Sequence, residues 1–137
     1  MRNNLGIQEY GHWKNIEDHR WRRTTTGMTD GVNANLLIDD AIKAEGPHRV
    51  GGWTKSGIPV YFDEVTKSVK FFNADAKTAG ETIYGLVFSI HKITDELGEF
   101  FETIPVAVQT RGEIYAQWLP VEIDAADLPS NIGNTIL

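Results

Sequence analysis

Hydrophobic and polar residues alternate over short stretches of this chain, a pattern that is typical of β-strands. Residues 58–62 alternate in this way, the polar segment 63–67 follows, and a second apolar run occupies residues 69–72, which together predict a β-hairpin. Pro59 has no backbone N–H to donate to a sheet, so we expect its strand to lie at a sheet edge or to begin at this proline.

The segment 83–90 is apolar on both alternating faces, apart from Gly85 and Ser89. Strands that are buried on both faces have this composition, so the segment predicts a strand in the middle of a sheet or barrel. A glycine within a strand is typical of a bulge, a bend or the close approach of another backbone. We expect Gly85 to mark one of these.

Two further apolar runs, at 104–109 and 113–119, are separated by a turn at 110–112. Both runs alternate, so they predict a half-buried antiparallel hairpin in which Ile114 and Trp118 share one face.

Helical patterns are few and short. Segments 39–44 and 124–128 each suffice for roughly one turn, and the pattern at 95–101 is interrupted by Gly98. The sequence therefore predicts a mainly β fold with little helix, either a small β-barrel or a β-sandwich.

Charge divides the chain into two parts. Residues 1–30 carry five basic and four acidic side chains, and they show no sustained hydrophobic periodicity. Residues 31–137 carry eight basic and fifteen acidic side chains, a balance of −7. A polar run at 24–31 separates the two parts. We therefore expect an extended N-terminal arm at 1–30, outside the main core, and a β-rich domain at 31–137.

The composition disfavours several classes of protein. A chain of 137 residues is long enough for one domain whose core needs neither disulfides nor metal. The absence of cysteine removes thiol nucleophiles and thiolate zinc sites. A net charge of −6 disfavours nucleic acid as a partner. Apolar stretches such as 84–88 are too short to span a membrane, and residues 1–6 lead into no signal core, so we expect a soluble product made in the cytoplasm.

The residue types that carry enzymatic chemistry do not form a familiar constellation. The four histidines lack the spacing of common zinc sites, and adjacent carboxylates such as Asp39 and Asp40 would point to opposite faces of a strand. No serine lies in a nucleophile elbow, and the segment 51–57 departs from the spacing of a phosphate-binding loop. We therefore expect a protein that is not an enzyme and that holds no cofactor and no metal.

The predicted arm contains the residue types that are most common at protein interfaces. Trp and Arg combine a large contact area with directed polar groups. We therefore predict that the arm binds a partner, or a neighbouring copy of the chain, through Trp13, Lys14, Arg20, Trp21, Arg22 and Arg23. An acidic protein surface suits these cations better than single-stranded nucleic acid, which the acidic domain would repel. The alternative is that both tryptophans fold back onto the chain's own domain.

The chain resembles the head-decoration, or capsid cement, proteins of tailed bacteriophages in the order and spacing of four segments. These are GIPVYFD at 57–63, KSVKF at 67–71, GETIYGLV at 80–87 and IPVAVQTRGEI at 104–114. The resemblance implies a small β-rich domain of the β-tulip type, often trimeric, that binds the outside of an icosahedral capsid at threefold or quasi-threefold positions.

Membership of this family would imply a structural role in the virion. We expect the chain to bind the major capsid protein on the outer surface of the capsid and, as a trimer, to bridge neighbouring subunits and so stabilise the assembled shell. The resemblance also implies an N-terminal arm that contacts the capsid protein beneath, and residues 13–23 lie where such an arm would be.

A different class of function stays open on the sequence. A glycan-binding β module on a virion or cell surface would use exposed aromatic rings as stacking platforms. Trp53, Tyr61 and Trp118 are the candidates for that role.

Overall fold

The computed structural model describes Trp21 and residues 32–134, and the strands of this region are numbered in chain order. They are β1 (Val32–Leu37), β2 (Arg49–Val50), β3 (Trp53–Thr54), β4 (Pro59–Asp63), β5 (Ser68–Phe71), β6 (Gly85–Val87), β7 (His91–Lys92), β8 (Thr103–Gln109), β9 (Gly112–Ile114) and β10 (Ile132–Asn134). Two short α-helices of the same region are α1 (Asp40–Lys43) and α2 (Ala74–Thr78). This content confirms the prediction of a small, mainly β fold with little helix.

Five of the described strands pair in a ring. β1, β5, β4, β6 and β8 are neighbours in this order, and β8 pairs back with β1 along the whole length of β1. The joint between β1 and β5 is parallel and rests on the single pair Leu36–Val69, whereas the other joints are antiparallel. The body is therefore a small barrel that is only thinly closed at one joint.

The predicted hairpin at 58–72 is confirmed as β4 and β5. In its turn, the Asp63 carboxylate accepts hydrogen bonds from the Val65 N–H and the Thr66 hydroxyl, both over 3.1 Å. Pro59 is the first residue of β4, which lies between β5 and β6. Of the two positions expected for the proline, the structure therefore has the start of a strand and not a sheet edge.

The predicted strand at 83–90 forms only at β6, whose three residues are buried. Gly85 is its first residue and lies against β8. A Cβ at this position would be 2.5 Å from the backbone oxygen of Gln109 and 2.6 Å from Cγ1 of Val108, which is closer than side-chain atoms approach. The glycine is therefore explained by the close approach of another backbone.

The predicted hairpin of 104–109 with 113–119 is wrong. β9 ends at Ile114, and residues 116–118 form a 3₁₀ turn instead of continuing as a strand. β9 pairs in parallel with β10 and not with β8. The alternation was misleading because Ile114 and Ala116 both pack against one apolar cluster although they lie in different kinds of structure.

The helical predictions are confirmed in part. α1 lies within 39–44, and the Asp39 carboxylate caps it by accepting a hydrogen bond from the first turn. A 3₁₀ turn lies within 124–128, whereas 95–101 forms a tight turn and no helix. α2 was not predicted, although Asn73 caps it in the same way as Asp39 caps α1.

Apolar side chains fill the barrel and cover one of its walls. The buried members of the main cluster are Leu36, Ile38, Ile42, Ile58, Val60, Val69, Phe71, Val87, Ile93, Ile104, Val106 and Val108. Successive residues of a strand face opposite sides of a sheet, and Leu86 accordingly belongs to a second cluster, with Trp21, Ile114 and Ile132. The second cluster joins the N-terminal segment to β9 and β10.

Candidate interaction site

Trp21 is the one predicted partner-binding residue that lies among the described residues. The other five, Trp13, Lys14, Arg20, Arg22 and Arg23, lie outside them. Trp21 is completely buried in the second apolar cluster. Its indole Nε1–H donates a hydrogen bond to Oγ of Ser56 over 3.1 Å, and the Ser56 hydroxyl donates in turn to the carbonyl of Phe88.

The backbone carbonyl of Trp21 is hydrogen-bonded to the domain as well. The Trp21 carbonyl accepts a hydrogen bond of 2.7 Å from the N–H of Tyr115. The ring also lies directly against Gly57, where a Cβ would be 2.7 Å from Nε1 of the indole, and Gly57 has a φ of +91°. Both the missing side chain and the positive φ favour glycine at this position.

Trp21 therefore packs into its own chain, which is the alternative arrangement that the sequence left open for the tryptophans. The main cluster does not include Trp21, but the second cluster buries it against β6, β9 and β10. The rest of the predicted arm, 1–20 and 22–30, lies outside the described residues. Because its ring is fully covered, Trp21 cannot also anchor a partner in this arrangement. It fixes one point of the predicted arm on the domain instead.

A second feature, which the sequence reasoning missed, is a tight hairpin at 93–101. Thr94 pairs with Phe100, and the N–H of Phe101 donates to the carbonyl of Ile93 over 2.9 Å. One oxygen of the Asp95 carboxylate accepts hydrogen bonds from the N–H groups of Leu97, at 2.8 Å, and Glu99, at 2.9 Å. This carboxylate organises the turn from within, in the manner of an Asx turn.

Three large apolar side chains of this hairpin are exposed. Leu97, at its tip, is 88% exposed, and Phe100 and Phe101 are exposed as well. We call Leu97, Phe100 and Phe101 the hairpin tip. Exposed apolar residues that occur singly are ordinary, but here three lie within five residues of one short hairpin. This concentration of apolar surface makes the hairpin a candidate interaction site.

The hairpin tip rests on a rigid base. Gly52 accepts a hydrogen bond of 2.8 Å from the N–H of buried Ile93. Arg49 lies with its guanidinium carbon 5.7 Å from the centre of the Phe100 ring, and the Lys43 ammonium lies at the same distance. Both distances allow a cation–π attraction.

Arg49 is itself fixed by backbone oxygens near the end of α1. Its guanidinium donates to the carbonyls of Lys43 and Gly51, each over 2.6 Å, and to that of Ala44 over 3.1 Å. Most of its side chain is therefore withdrawn from solvent, and it supports the Phe100 ring instead of reaching towards a partner. A surface held in this way loses little conformational entropy when it binds.

Three acidic residues lie on or next to the same hairpin. Glu96, Glu99 and Glu102 are all exposed. None of the three forms an ion pair with another residue of the described part of the chain. The hairpin therefore carries exposed carboxylates beside its apolar side chains, whereas the cations of Lys43 and Arg49 lie at the Phe100 ring.

The two histidines of the described region are part of the framework. His48 is buried, its ring stacks on Phe71 at 4.4 Å, and Nε2 lies 2.9 Å from the carbonyl of Ile42. Burial lowers the pKa of His48 and of His91 below the ordinary value. Among the described residues, no three His, Asp or Glu side chains are placed so that they could hold a metal ion.

The aromatic residues considered for glycan binding lie on different elements. Trp53 is on β3, Tyr61 is on β4 and Trp118 is in the 3₁₀ turn after β9. Tyr61 lines an open groove of about 450 Å³, together with acidic residues of α1 and α2, and neither tryptophan lines that groove. The glycan-binding alternative stays a prediction.

No helix within the part of the chain that the structure describes is long and apolar enough to cross a membrane. We compared the chain with models of protein families, with curated proteins and with solved structures. None of the three comparisons found a match. Evidence about function therefore comes from the fold, from the buried Trp21 and from the hairpin tip.

Proposed function

We propose that this chain is a non-catalytic structural protein of a bacteriophage virion. It binds the outer surface of the assembled capsid as a trimer at threefold and quasi-threefold positions, and it bridges neighbouring subunits of the major capsid protein. The observation that carries this proposal is the hairpin tip, a rigid apolar surface exposed on a small barrel.

The sequence resemblance supports the same proposal. Its four segments contribute the barrel strands β4, β5, β6 and β8, together with β9. The pattern therefore coincides with the barrel framework, as it would if the resemblance reflected a shared fold.

The physics of capsid decoration suits a rigid surface without catalytic groups. A protein that binds only the assembled lattice stabilises that lattice by mass action. Once one subunit of a trimer has bound the capsid, the other subunits are held at a high effective concentration near their own sites. Each single contact can therefore have a low affinity. The hairpin tip would supply one such contact, and the cationic residues of the arm would supply another.

Co-sedimentation with capsids tests this proposal. The full chain is mixed with expanded capsids assembled from the cognate major capsid protein, and the bound fraction is measured. Leu97→Asp should weaken binding about tenfold to a hundredfold, because burial of a leucine is worth about 1.5–3 kcal/mol. A variant of the arm, with Lys14, Arg20, Arg22 and Arg23 changed to alanine, should also bind more weakly.

Val65→Asp is the matched control for the hairpin tip. Val65 is 90% exposed in the β4–β5 turn. Like Leu97→Asp, this substitution therefore replaces an exposed apolar side chain of a turn by a carboxylate. It should leave capsid binding unchanged. The proposal fails if the wild-type chain does not sediment with capsids, and the role of the hairpin tip fails if Leu97→Asp and Val65→Asp behave alike.

A further inference from the structure

The rim of the barrel carries an open groove, separate from the hairpin at 93–101 and from Trp21. It has a volume of about 480 Å³. Its lining comes from β4 and the turn after it, from the segment before β6, from the end of β8 and from the segment before β10. The lining residues are Phe62, Glu64, Glu81, Thr82, Ile83, Tyr84, Thr110, Pro129 and Asn131. We call it the rim groove.

Two aromatic rings form one side of the rim groove. Phe62 lies on the same face of β4 as the buried Val60, but it is next to the last residue of the strand, so its ring emerges where the barrel opens. Its centre is 5.8 Å from that of the Tyr84 ring, at an angle of 45°. The backbone N–H of Tyr84 donates to the carbonyl of Val60 over 2.8 Å, which fixes the second ring beside the first.

Two carboxylates stand beside these rings. Glu64 has one partner, Lys67 at 3.2 Å, and both side chains are largely exposed, so this pair is weak and easily exchanged. Glu81 is exposed and forms no ion pair with any residue in the described part of the chain. The described residues that line the groove include no Lys, Arg or His.

This combination suits a guanidinium group. A planar cation can stack on an exposed aromatic face while its N–H groups donate to carboxylates at the edge. Thr110 and Asn131 also line the groove and add uncharged hydrogen-bonding groups. An arginine side chain of an extended segment would satisfy all of these groups together.

The chain itself contains a run of arginines. Arg20, Arg22 and Arg23 are the densest basic run of the sequence, whereas residues 31–137 have a balance of −7. Trp21 lies within this run and is anchored in its own domain, so the run begins at a fixed point of each copy. Opposite charges on the two surfaces favour contact between one copy and the next.

We infer that the rim groove binds the arginines of the 20–23 segment from a second copy of this chain. The contact is heterologous, since a groove of one copy meets the arm of another, and repetition of such a contact builds a ring or an open chain of copies. The inference does not rest on the capsid proposal, because it concerns the chain alone in solution.

Sedimentation equilibrium of the full chain tests the inference. The wild type should associate with increasing concentration, and a rise from 50 to 500 mM salt should weaken the association, because exposed charges are screened. Glu64→Arg with Glu81→Arg should lower the association constant at least tenfold, and so should Arg22→Glu with Arg23→Glu. The chain that carries all four substitutions should recover association to within about threefold of the wild type, since the charges are then exchanged.

Two further variants distinguish binding in the rim groove from a general effect of net charge on association. Phe62→Ala removes the stacking surface without a change of charge and should weaken association at least threefold. Asp75→Arg with Glu122→Arg makes the same change of net charge at two exposed residues that do not line the rim groove, and it should leave association unchanged. Circular dichroism of each variant verifies that it is folded.

Several results would overturn the inference. One is a wild-type chain that stays monomeric up to millimolar concentration, as it would if the arginines occupied the groove of their own copy. Another is association that the groove variants leave unchanged while the arginine variants abolish it, because the arm would then bind elsewhere. Failure of the fourfold exchange to restore association would also exclude the groove. So would an equal effect of the control substitutions at Asp75 and Glu122.

Discussion

Replacement of Trp21 by alanine should lower the free energy of unfolding by about 3–5 kcal/mol, which is the usual cost of removing a buried tryptophan from a core. The ring is completely buried, and it packs against Leu86, Ile114 and Ile132 from separate parts of the chain. Its loss would leave a cavity that these neighbours cannot all fill. It would also remove the hydrogen bond to Ser56.

A second variant separates packing from hydrogen bonding. Trp21→Phe keeps most of the apolar surface but has no N–H for Ser56, whose hydroxyl still has the carbonyl of Phe88. The loss should therefore be smaller, about 1–2 kcal/mol. Because a domain is stable by only about 5–15 kcal/mol in total, the phenylalanine variant keeps the test valid if the alanine variant does not fold.

Urea unfolding followed by far-ultraviolet circular dichroism measures both effects, since this signal does not depend on the tryptophan that is removed. Trp118→Ala is the matched control, because Trp118 is partly exposed and should cost less than Trp21. The anchoring of the arm at Trp21 is refuted if the free energy of unfolding of Trp21→Ala lies within about 1 kcal/mol of the wild-type value. It is also refuted if Trp21→Ala lowers this free energy by no more than Trp118→Ala does.

Three other predictions follow from the barrel and its turns. Gly85→Ala should cost about 2–3 kcal/mol, because its Cβ would meet the backbone of β8. Gly98 has a φ of +81° but open space around it, so Gly98→Ala should cost only about 1 kcal/mol. Urea unfolding compares the two variants, and equal costs would contradict the close approach at Gly85. The ammonium of Lys70 lies 3.0 Å from the Asp63 carboxylate and holds its pKa below the ordinary value. The ionised carboxylate therefore stabilises the fold above about pH 4, and this stabilisation is lost as pH falls through the lowered pKa. Asp63→Asn should therefore lose less stability than the wild type between pH 6 and pH 3, and parallel losses would exclude this contribution. Burial lowers the pKa of His48. The contribution of neutral His48 to stability is therefore complete above about pH 6.5 and is lost as pH falls towards the lowered pKa of the folded state. The His48 titration, followed by nuclear magnetic resonance, should have its midpoint below the ordinary value, and a midpoint at or above that value would contradict the burial.

Local patterns predicted those elements whose neighbours are close in the sequence. The hairpin of β4 and β5 follows from alternation around a polar turn, because both strands and the turn lie within 58–72. The parallel pairing of β9 with β10 joins residues 112–114 to 132–134, and no local pattern specifies that register. The run at 113–119 therefore looked like the partner of the strand before it.

The candidate site shows the same limit. Leu97, Phe100 and Phe101 have the i, i+3, i+4 spacing of a helix face, and this spacing concealed a hairpin. Asp95 and Gly98 were the available signals for a turn, since an Asp accepts hydrogen bonds from the residues that follow it and this glycine has a positive φ. Exposure of the three apolar side chains depends on the tertiary fold and could not be predicted.

The arm illustrates a different limit. Its tryptophans suit either an interface or a core, and the choice for Trp21 depends on Gly57, Leu86, Ile114 and Ile132, which come together only in the folded chain. The partner-binding roles of Trp13, Lys14, Arg20, Arg22 and Arg23 stay predictions, because these residues lie outside the described part of the chain.

The path of the chain through the barrel also bears on how the protein is made. β1 pairs with β8, so the ring cannot close until Gln109 has left the ribosome, and the pocket of Trp21 is incomplete until Ile132 has followed. An indole near the start of the chain must therefore stay uncovered during most of synthesis. Non-local pairings of this kind slow folding and prolong the exposure of apolar surface. Truncation within β10 should consequently leave a nascent chain that binds chaperones, even though the barrel strands are all present.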